Sequence, residues 1–280
     1  MGILIYMTVF IFGANGMLGV YVSKYLQQHN FNVIPLTRKE YDILNVTSGD
    51  LDMFLRSYNI SSTDIVINCA GVIPQSSKST IPAQTYYTVN SIFPVILGGI
   101  CDKIGAHLIH ITTDCVFSGK GGNYNESAVH DETNNYGVSK SLGELHTNST
   151  IIRTSIIGED TRNKYSLLEW VKSNENGTIH GYTNHIWNGV TCLELAKIIN
   201  YLIVNKIYWK NVRHIFSPTS VTKFELVRMI NSAFDLNICV NSIQTPISID
   251  KTISTKFEEI EMLNIPELPI QLKELSEFKL

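Results

Sequence analysis

The chain has 280 residues, a mass of 31.5 kDa and a net charge of −3, with 22 Lys plus Arg against 25 Asp plus Glu. Hydrophobic residues make up 44% and charged residues 17%, which allows a sizeable buried core and excludes a disordered, tail-like chain. The scattered basic residues lack the electrostatic footprint of a nucleic-acid binder, and no block of like charge marks an interaction tail. The five cysteines, at 69, 101, 115, 192 and 239, include no C-x-x-C pair. That spacing speaks against a disulfide scaffold or a Cys-rich zinc site and fits a reducing compartment.

The opening MGILIYMTVFIFG has no basic leader region or small-residue cleavage site and is too short to span a bilayer, so a cytoplasmic protein is expected. Residues 1–6 read as an extension, with Met7 as an alternative start. Short apolar runs follow at 8–12, 32–36, 64–69, 107–112 and 150–153, with a further one at 213–216. Parallel strands buried on both faces read this way. Helical spacing lies between them: Val22, Tyr25, Leu26 and His29 after Gly19, then a long apolar stretch over 85–104. Further helices are expected around Tyr136, over 191–204 and over 222–234. Strands alternating with helices predict an α/β fold with a doubly wound parallel sheet. Residues 1–158 are expected to form a dinucleotide-binding domain, to which about 187–216 return. Residues 159–280 would be mostly a smaller substrate-binding cap, its tail broken by Pro246, Pro266 and Pro269.

Ligands of such sheets bind at the carboxyl ends of the strands, so the turns there carry the argument. The first run leads into Gly13-Ala14-Asn15-Gly16-Met17-Leu18-Gly19 and then a helix. Glycines permit a tight turn and close backbone approach to a pyrophosphate, and a helix N-terminus offers free N–H groups to the anion. The bland alternative is a Gly-rich loop that only closes a strand–helix turn. The second run ends in Thr37-Arg38-Lys39, where an NAD-selective fold usually carries an acid. Arg38 there suits a 2′-phosphate, so NADP(H) is the expected cofactor over NAD(H). Otherwise Arg38 is a solvated loop charge.

The fourth run leads into Thr112-Thr113-Asp114-Cys115, and Tyr136-Gly137-Val138-Ser139-Lys140 follows. Positions i and i+4 share a helix face, which would set Lys140 beside the Tyr136 phenol and lower its pKa. A phenol so tuned exchanges a proton with a substrate oxygen, and Thr113 can orient that oxygen. By itself Tyr-x-x-x-Lys is weak, since about 0.7 matches arise by chance in such a chain. The order of glycine turn, Thr-ended strand, Tyr and Lys is what gives it weight. Further on, Asn184, His185 and Trp187 form a polar–aromatic cluster able to touch a sugar or base, or else simply a structured loop.

Together the stretches TVFIFGANGMLG, DIVINCAGVIPQ, VNSIFP, HLIHITTDCVFSG, NYGVSKSLGE and IIRTSIIG resemble an extended short-chain dehydrogenase/reductase of Rossmann type. Within that superfamily the chain is similar to the dTDP-4-dehydrorhamnose reductase family, essentially over residues 7–205. The resemblance implies that Thr113, Tyr136 and Lys140 are catalytic and that Gly16, Met17 and Leu18 form the dinucleotide turn. It places Asp42 and Ile43 at the adenosine end and Ala70, Gly71 and Val72 along the cofactor. Asn90 matches a helix Asn that supports the active-site helix. Two positions depart from the family's usual T-D-Y-V-F-D-G: Cys115 replaces its Tyr and Ser118 its second Asp. Related 4,6-dehydratases carry Thr-Asp-Glu, and Cys115 leaves that reaction without its base.

The resemblance implies an NADPH-dependent reduction of the C4 ketone of a nucleotide-linked 4-keto-6-deoxy sugar, within polysaccharide biosynthesis. Thr113, Asp114, Asn184 and Trp187 are the expected substrate contacts. One alternative is a UDP-linked 2-acetamido-2,6-dideoxy-4-ketohexose as substrate. Another is a non-catalytic, NADP-binding regulatory subunit of methionine adenosyltransferase type. The expected partner is a nucleotide sugar, with a homodimer as the one assembly considered and with no nucleic acid, membrane or metal.

Overall fold

The computed structural model describes residues 7–76, 80–146 and 148–280; the extension read at 1–6 lies outside them. The first half alternates β1 (Thr8–Phe12), α1 (Met17–Gln28), β2 (Asn32–Leu36), α2 (Ser48–Ser57) and β3 (Ile65–Asn68). It continues through α3 (Ala83–Tyr87), a π-helical turn at Thr88–Ile92, α4 (Phe93–Ile104), β4 (His107–Thr113), α5 (Asn135–Gly143) and β5 (Thr150–Thr154). The second half holds β6 (Ile156–Ile157), α6 (Leu167–Lys172), β7 (Thr178–Tyr182), β8 (His185–Trp187), β9 (Val190–Thr191), α7 (Cys192–Asn205) and β10 (Asn211–His214). It closes with β11 (Val221–Thr222), α8 (Lys223–Ala233), β12 (Cys239–Ile243), β13 (Ile249–Asp250) and α9 (Leu268–Glu277).

Six strands form one sheet in the order β10-β5-β4-β3-β1-β2, and every pairing in it is parallel. The apolar runs are continuous because both faces of the sheet are covered. In β1, Val9 and Ile11 pack with Tyr21, Val22 and Leu26 of α1 and Leu195 and Ile199 of α7. The alternate residues Phe10 and Phe12 pack with Leu51 and Leu55 of α2 and Leu97 and Cys101 of α4. The chain thus winds to both sides of the sheet, and the order reverses between β1 and β3. That reversal opens a crevice at the carboxyl ends of the strands. Three small sheets, β11-β8-β13, β12-β7 and β6-β9, are built from the second half.

Two expectations shift. The last strand of the main sheet is Asn211–His214 rather than 213–216, because pairing with β5 sets its register, Asn211 facing Thr150 and His214 facing Arg153. Ile215 and Phe216 are apolar for another reason: Ile215 is buried in the main core, and Phe216 packs against a cluster around Val116 and Phe117. The stretch 85–104 is not one regular helix. Pro94 has no N–H to offer the Asn90 carbonyl four residues earlier, and the chain widens into a π turn there. Among the described residues, no helix is long and apolar enough to cross a membrane.

Candidate active site

The turn after β1 is built on close contact. Gly13 has φ +74°, and a Cβ there would sit 2.7 Å from the Ala70 backbone at the end of β3. Its N–H and that of Ala14 donate to the Leu36 carbonyl, tying the turn to the end of β2. Gly16 is the N-cap of α1, with φ −80° and no side chain capping the first N–H groups. Gly16, Met17 and Leu18 face a groove of about 500 Å³ that runs along the carboxyl ends of β1, β3, β4 and β5. A helix start whose N–H groups no side chain caps, opening on a groove, fits an anionic group such as a pyrophosphate. Asn15 is exposed and Gly19 is buried in the first turn of α1.

Helix α5 brings the second half of the site. Asn134 caps it, its side chain accepting from the Gly137 N–H at 2.9 Å. Two glycines let α5 press inward: a Cβ at Gly137 would lie 2.6 Å from the Cys115 carbonyl, and one at Gly143 would lie 2.0 Å from the Asn90 carbonyl. The helix is thereby wedged between the turn after β4 and the π turn. Tyr136, Lys140, Thr113, Asp114 and Gly71 all line the same groove as the α1 turn. Lys140 is buried and donates to the Ile111 carbonyl at 3.4 Å. Asn90 lies behind the groove: its side chain accepts from the Val72 N–H and donates to the Val72 carbonyl, both at 2.9 Å, and donates to the Ser139 hydroxyl at 3.1 Å. It fixes the loop after β3 against α5 through backbone and hydroxyl contacts.

The electrostatics correct one expectation. Lys140 was expected to make Tyr136 more acidic, but burial pushes the Tyr136 phenol well above the usual tyrosine range, and the Cys115 thiol adds to this. A side-chain hydrogen bond with Thr113 works in the opposite direction. The same burial draws the Lys140 ammonium down to about 8, opposed chiefly by Glu144. Desolvation is the largest influence on both side chains. The arrangement holds a protonated phenol beside an ammonium poised near neutrality. The Thr113 hydroxyl donates to Asp114 at 3.1 Å and accepts from the Cys115 N–H at 3.2 Å. Burial raises the Asp114 carboxyl, while Lys251 and Lys223 facing it act the other way.

Other residues singled out by sequence lie around or away from this groove. Arg38 is exposed at the end of β2. Asp42 caps a short 3-10 turn, accepting from the Leu44 N–H at 3.1 Å, and Ile43 packs with Val72, Tyr86 and Val89. Ala70 donates its N–H to the Asn68 side chain at 3.0 Å. Asn184, His185 and Trp187 do not line the groove. Asn184 and His185 bind Thr245 in the neighbouring loop, and Trp187 is buried under the Lys223 ammonium, 4.7 Å from its ring centre. The groove instead takes Asp160, Asn163, Tyr165 and Lys251, which the sequence reading did not single out. Lys251 follows β13 and reaches the site only through tertiary folding; nothing local marks it. Among the described residues, no group of three or more His, Cys, Asp or Glu side chains is placed to hold a metal ion.

The family model described as RmlD substrate binding domain matches residues 7–253. The spore coat polysaccharide biosynthesis protein SpsK of Bacillus subtilis is 37% identical over 155 residues, 52% of each chain. The dTDP-4-dehydrorhamnose reductase of Mycobacterium tuberculosis is 32% identical over 110 residues, 39% of this chain and 34% of that protein. The chain thus aligns with about half or less of the length of these two relatives. In fold it is similar to the dTDP-4-dehydrorhamnose reductase of Bacillus anthracis solved in complex with NADP, with a TM-score of 0.79 and 24% identity, covering 98% of this chain and all of that one. The glycine turn, the parallel sheet and the Tyr136–Lys140 helix agree with that assignment, and the chain belongs to the RmlD-like family of extended short-chain dehydrogenases/reductases.

Proposed function

We propose that the chain reduces the C4 ketone of a nucleotide-linked 4-keto-6-deoxy sugar with NADPH. The observation that carries this reading is one groove holding the uncapped start of α1, the Thr113 hydroxyl, the Tyr136 phenol and the Lys140 ammonium. In this reading residues 1–158 form the dinucleotide-binding part, with about 187–216 added to it, and the rest is mostly the substrate cap. The N–H groups of Gly16, Met17 and Leu18 hold the pyrophosphate. Arg38, exposed beside the turn, takes the 2′-phosphate, with Asp42 and Ile43 at the adenosine end. Gly71 and Val72 lie along the dinucleotide, held in place by Asn90. The nicotinamide, when bound, supplies the hydride.

The chain's own groups handle the proton. Burial keeps Tyr136 protonated at neutral pH, so it donates to the oxygen that gains charge as the ketone is reduced. Lys140 stabilises the phenolate left behind and holds the nicotinamide ribose. Thr113 orients the carbonyl, and Asp160, Tyr165 and Lys251 close the sugar side of the groove.

The test is NADPH oxidation followed by absorbance, with dTDP-linked and UDP-linked 4-keto-6-deoxy sugars in parallel. Turnover with the dTDP substrate is expected, and Tyr136→Phe is expected to cut kcat by about 100-fold or more. Failure to oxidise NADPH with any of these sugars, or near-full rate in Tyr136→Phe, would overturn the proposal.

A further inference from the structure

Behind the groove Lys140 is joined to a buried polar cluster whose other members the proton chemistry above leaves unused. Lys140 and Glu144 stand one helical turn apart on α5 and its C-cap and share a face. Lys140 donates to the Ile111 carbonyl at 3.4 Å, and Glu144 accepts from the Thr112 hydroxyl at 2.9 Å. Two neighbouring side chains of one helix therefore hold the two residues of β4 that immediately precede Thr113. Glu144 is held in turn by Arg153 of β5, which is 2% exposed and donates to both carboxylate oxygens. Arg153 sits directly across from Thr112 on one side and His214 on the other. Its guanidinium meets His214 at 2.8 Å and His130 at 2.7 Å. His214 reaches on to the Ser254 carbonyl at 2.7 Å, and His130 to the Ser141 hydroxyl of α5 at 2.6 Å.

A buried ion pair of this kind is poor value as a source of stability, since apolar packing of the same volume does as well or better. Its position suggests a different use. The titratable groups that face Lys140 are Tyr136 and Glu144 on its own helix, the thiols of Cys69 after β3 and Cys115 after β4, and His110 on β4. Among them Glu144 is the single carboxylate. We propose that Glu144, clamped by Arg153, is a positioning residue that keeps the Lys140 ammonium charged and locks the end of β4 against α5. This rests on the reading of Lys140 and Thr113 given above, but its central claim concerns Lys140 itself.

The experiment is a carbon-13 NMR titration of the lysine side chains in the full chain, with Lys140 assigned from its loss in Lys140→Arg. Glu144→Gln is expected to move the Lys140 midpoint down by about one pH unit, and Arg153→Gln, which leaves Glu144 uncompensated, to move it up by a smaller amount, since Arg153 bears on Lys140 through Glu144. Glu144→Asp keeps the charge and is expected to leave the midpoint nearly in place. Should the single variants fail to fold, Glu144→Gln/Arg153→Met removes both charges together, and the midpoint is expected to fall. An unmoved midpoint, or shifts of the same sign in Glu144→Gln and Arg153→Gln, would overturn the proposal. The titration needs neither cofactor nor sugar. A chain with no turnover but the expected shifts would lose its proposed reaction and keep this assignment. Where turnover is found, the alkaline limb of kcat is expected to follow the same order.

Discussion

Gly13 and Gly16 belong to one short turn, yet the structure assigns them different burdens. Gly13→Ala forces a side chain into a left-handed backbone at φ +74° and sets its Cβ 2.7 Å from the Ala70 backbone. The left-handed conformation costs about 1–2 kcal/mol. The overlap is with main chain, which cannot swing aside, and overpacking of this kind costs about 1–3 kcal/mol. A loss of about 2–5 kcal/mol is therefore expected, against a typical total of about 5–15. In a urea titration that lowers the midpoint by about 1 M, taking a slope of about 3 kcal/mol/M. Gly16→Ala meets only the Gly13 carbonyl, at 3.2 Å, with an ordinary φ of −80°. Its cost as a poorer N-cap is about 0.5–1 kcal/mol. Its methyl, however, enters the groove where the phosphates would approach, and a rise of about 10-fold or more in the Kd for NADPH is expected by fluorescence titration. The reasoning is refuted if Gly13→Ala unfolds within about 0.5 kcal/mol of the parent or if Gly16→Ala proves the costlier of the two for stability.

Three further outcomes are expected. Arg38→Ala should weaken NADPH binding by about 10–100-fold and leave NADH unaffected, as read by parallel titrations; equal losses would make Arg38 a bystander. Burial and the nearby Lys140 hold His110 down to about 3, against an ordinary value of 6.5. The unfolded chain then takes up this proton first, so the stability His110 contributes is complete above pH 6.5 and is lost as pH falls towards 3. Replacing His110 with Asn should flatten the acid side of a Tm-against-pH curve, and an unchanged slope would contradict the assignment. Alkylation of the native protein near pH 7.5 should mark Cys239, which is exposed, and spare Cys69 and Cys115, whose thiols burial pushes up to about 12. Rapid labelling of Cys115, read by peptide mass, would show a thiolate that these surroundings should not allow.

Much of this architecture was legible along the chain. The strand at 8–12 falls on its apolar run residue for residue, because a strand buried on both faces has no polar alternation to blur its ends, and the edge strand at 32–36 also matches its run. The glycine turn and the Tyr136–Lys140 spacing are local patterns, so their geometry follows from backbone sterics and the helical repeat. The cap was less legible. Asn184, His185 and Trp187 look like ligand contacts in isolation, yet their partners are Thr245, about sixty residues on, and Lys223. Lys251 gives no local sign of reaching the groove, and it does so because β13 pairs with β8.

The amino-acid order alone pointed to the parallel sheet, through apolar runs alternating with helical spacing, and it determined the glycine turn and the placing of a phenol and an amine on one helix face, which depend on contacts a few residues apart. Only the tertiary structure decided which way that pair is shifted, the phenol up and the ammonium down, because burial is a property of everything packed around it. It also decided the register of β10 and the cluster joining Glu144 to Arg153 and His214, both of which arise where segments distant in sequence meet across the sheet.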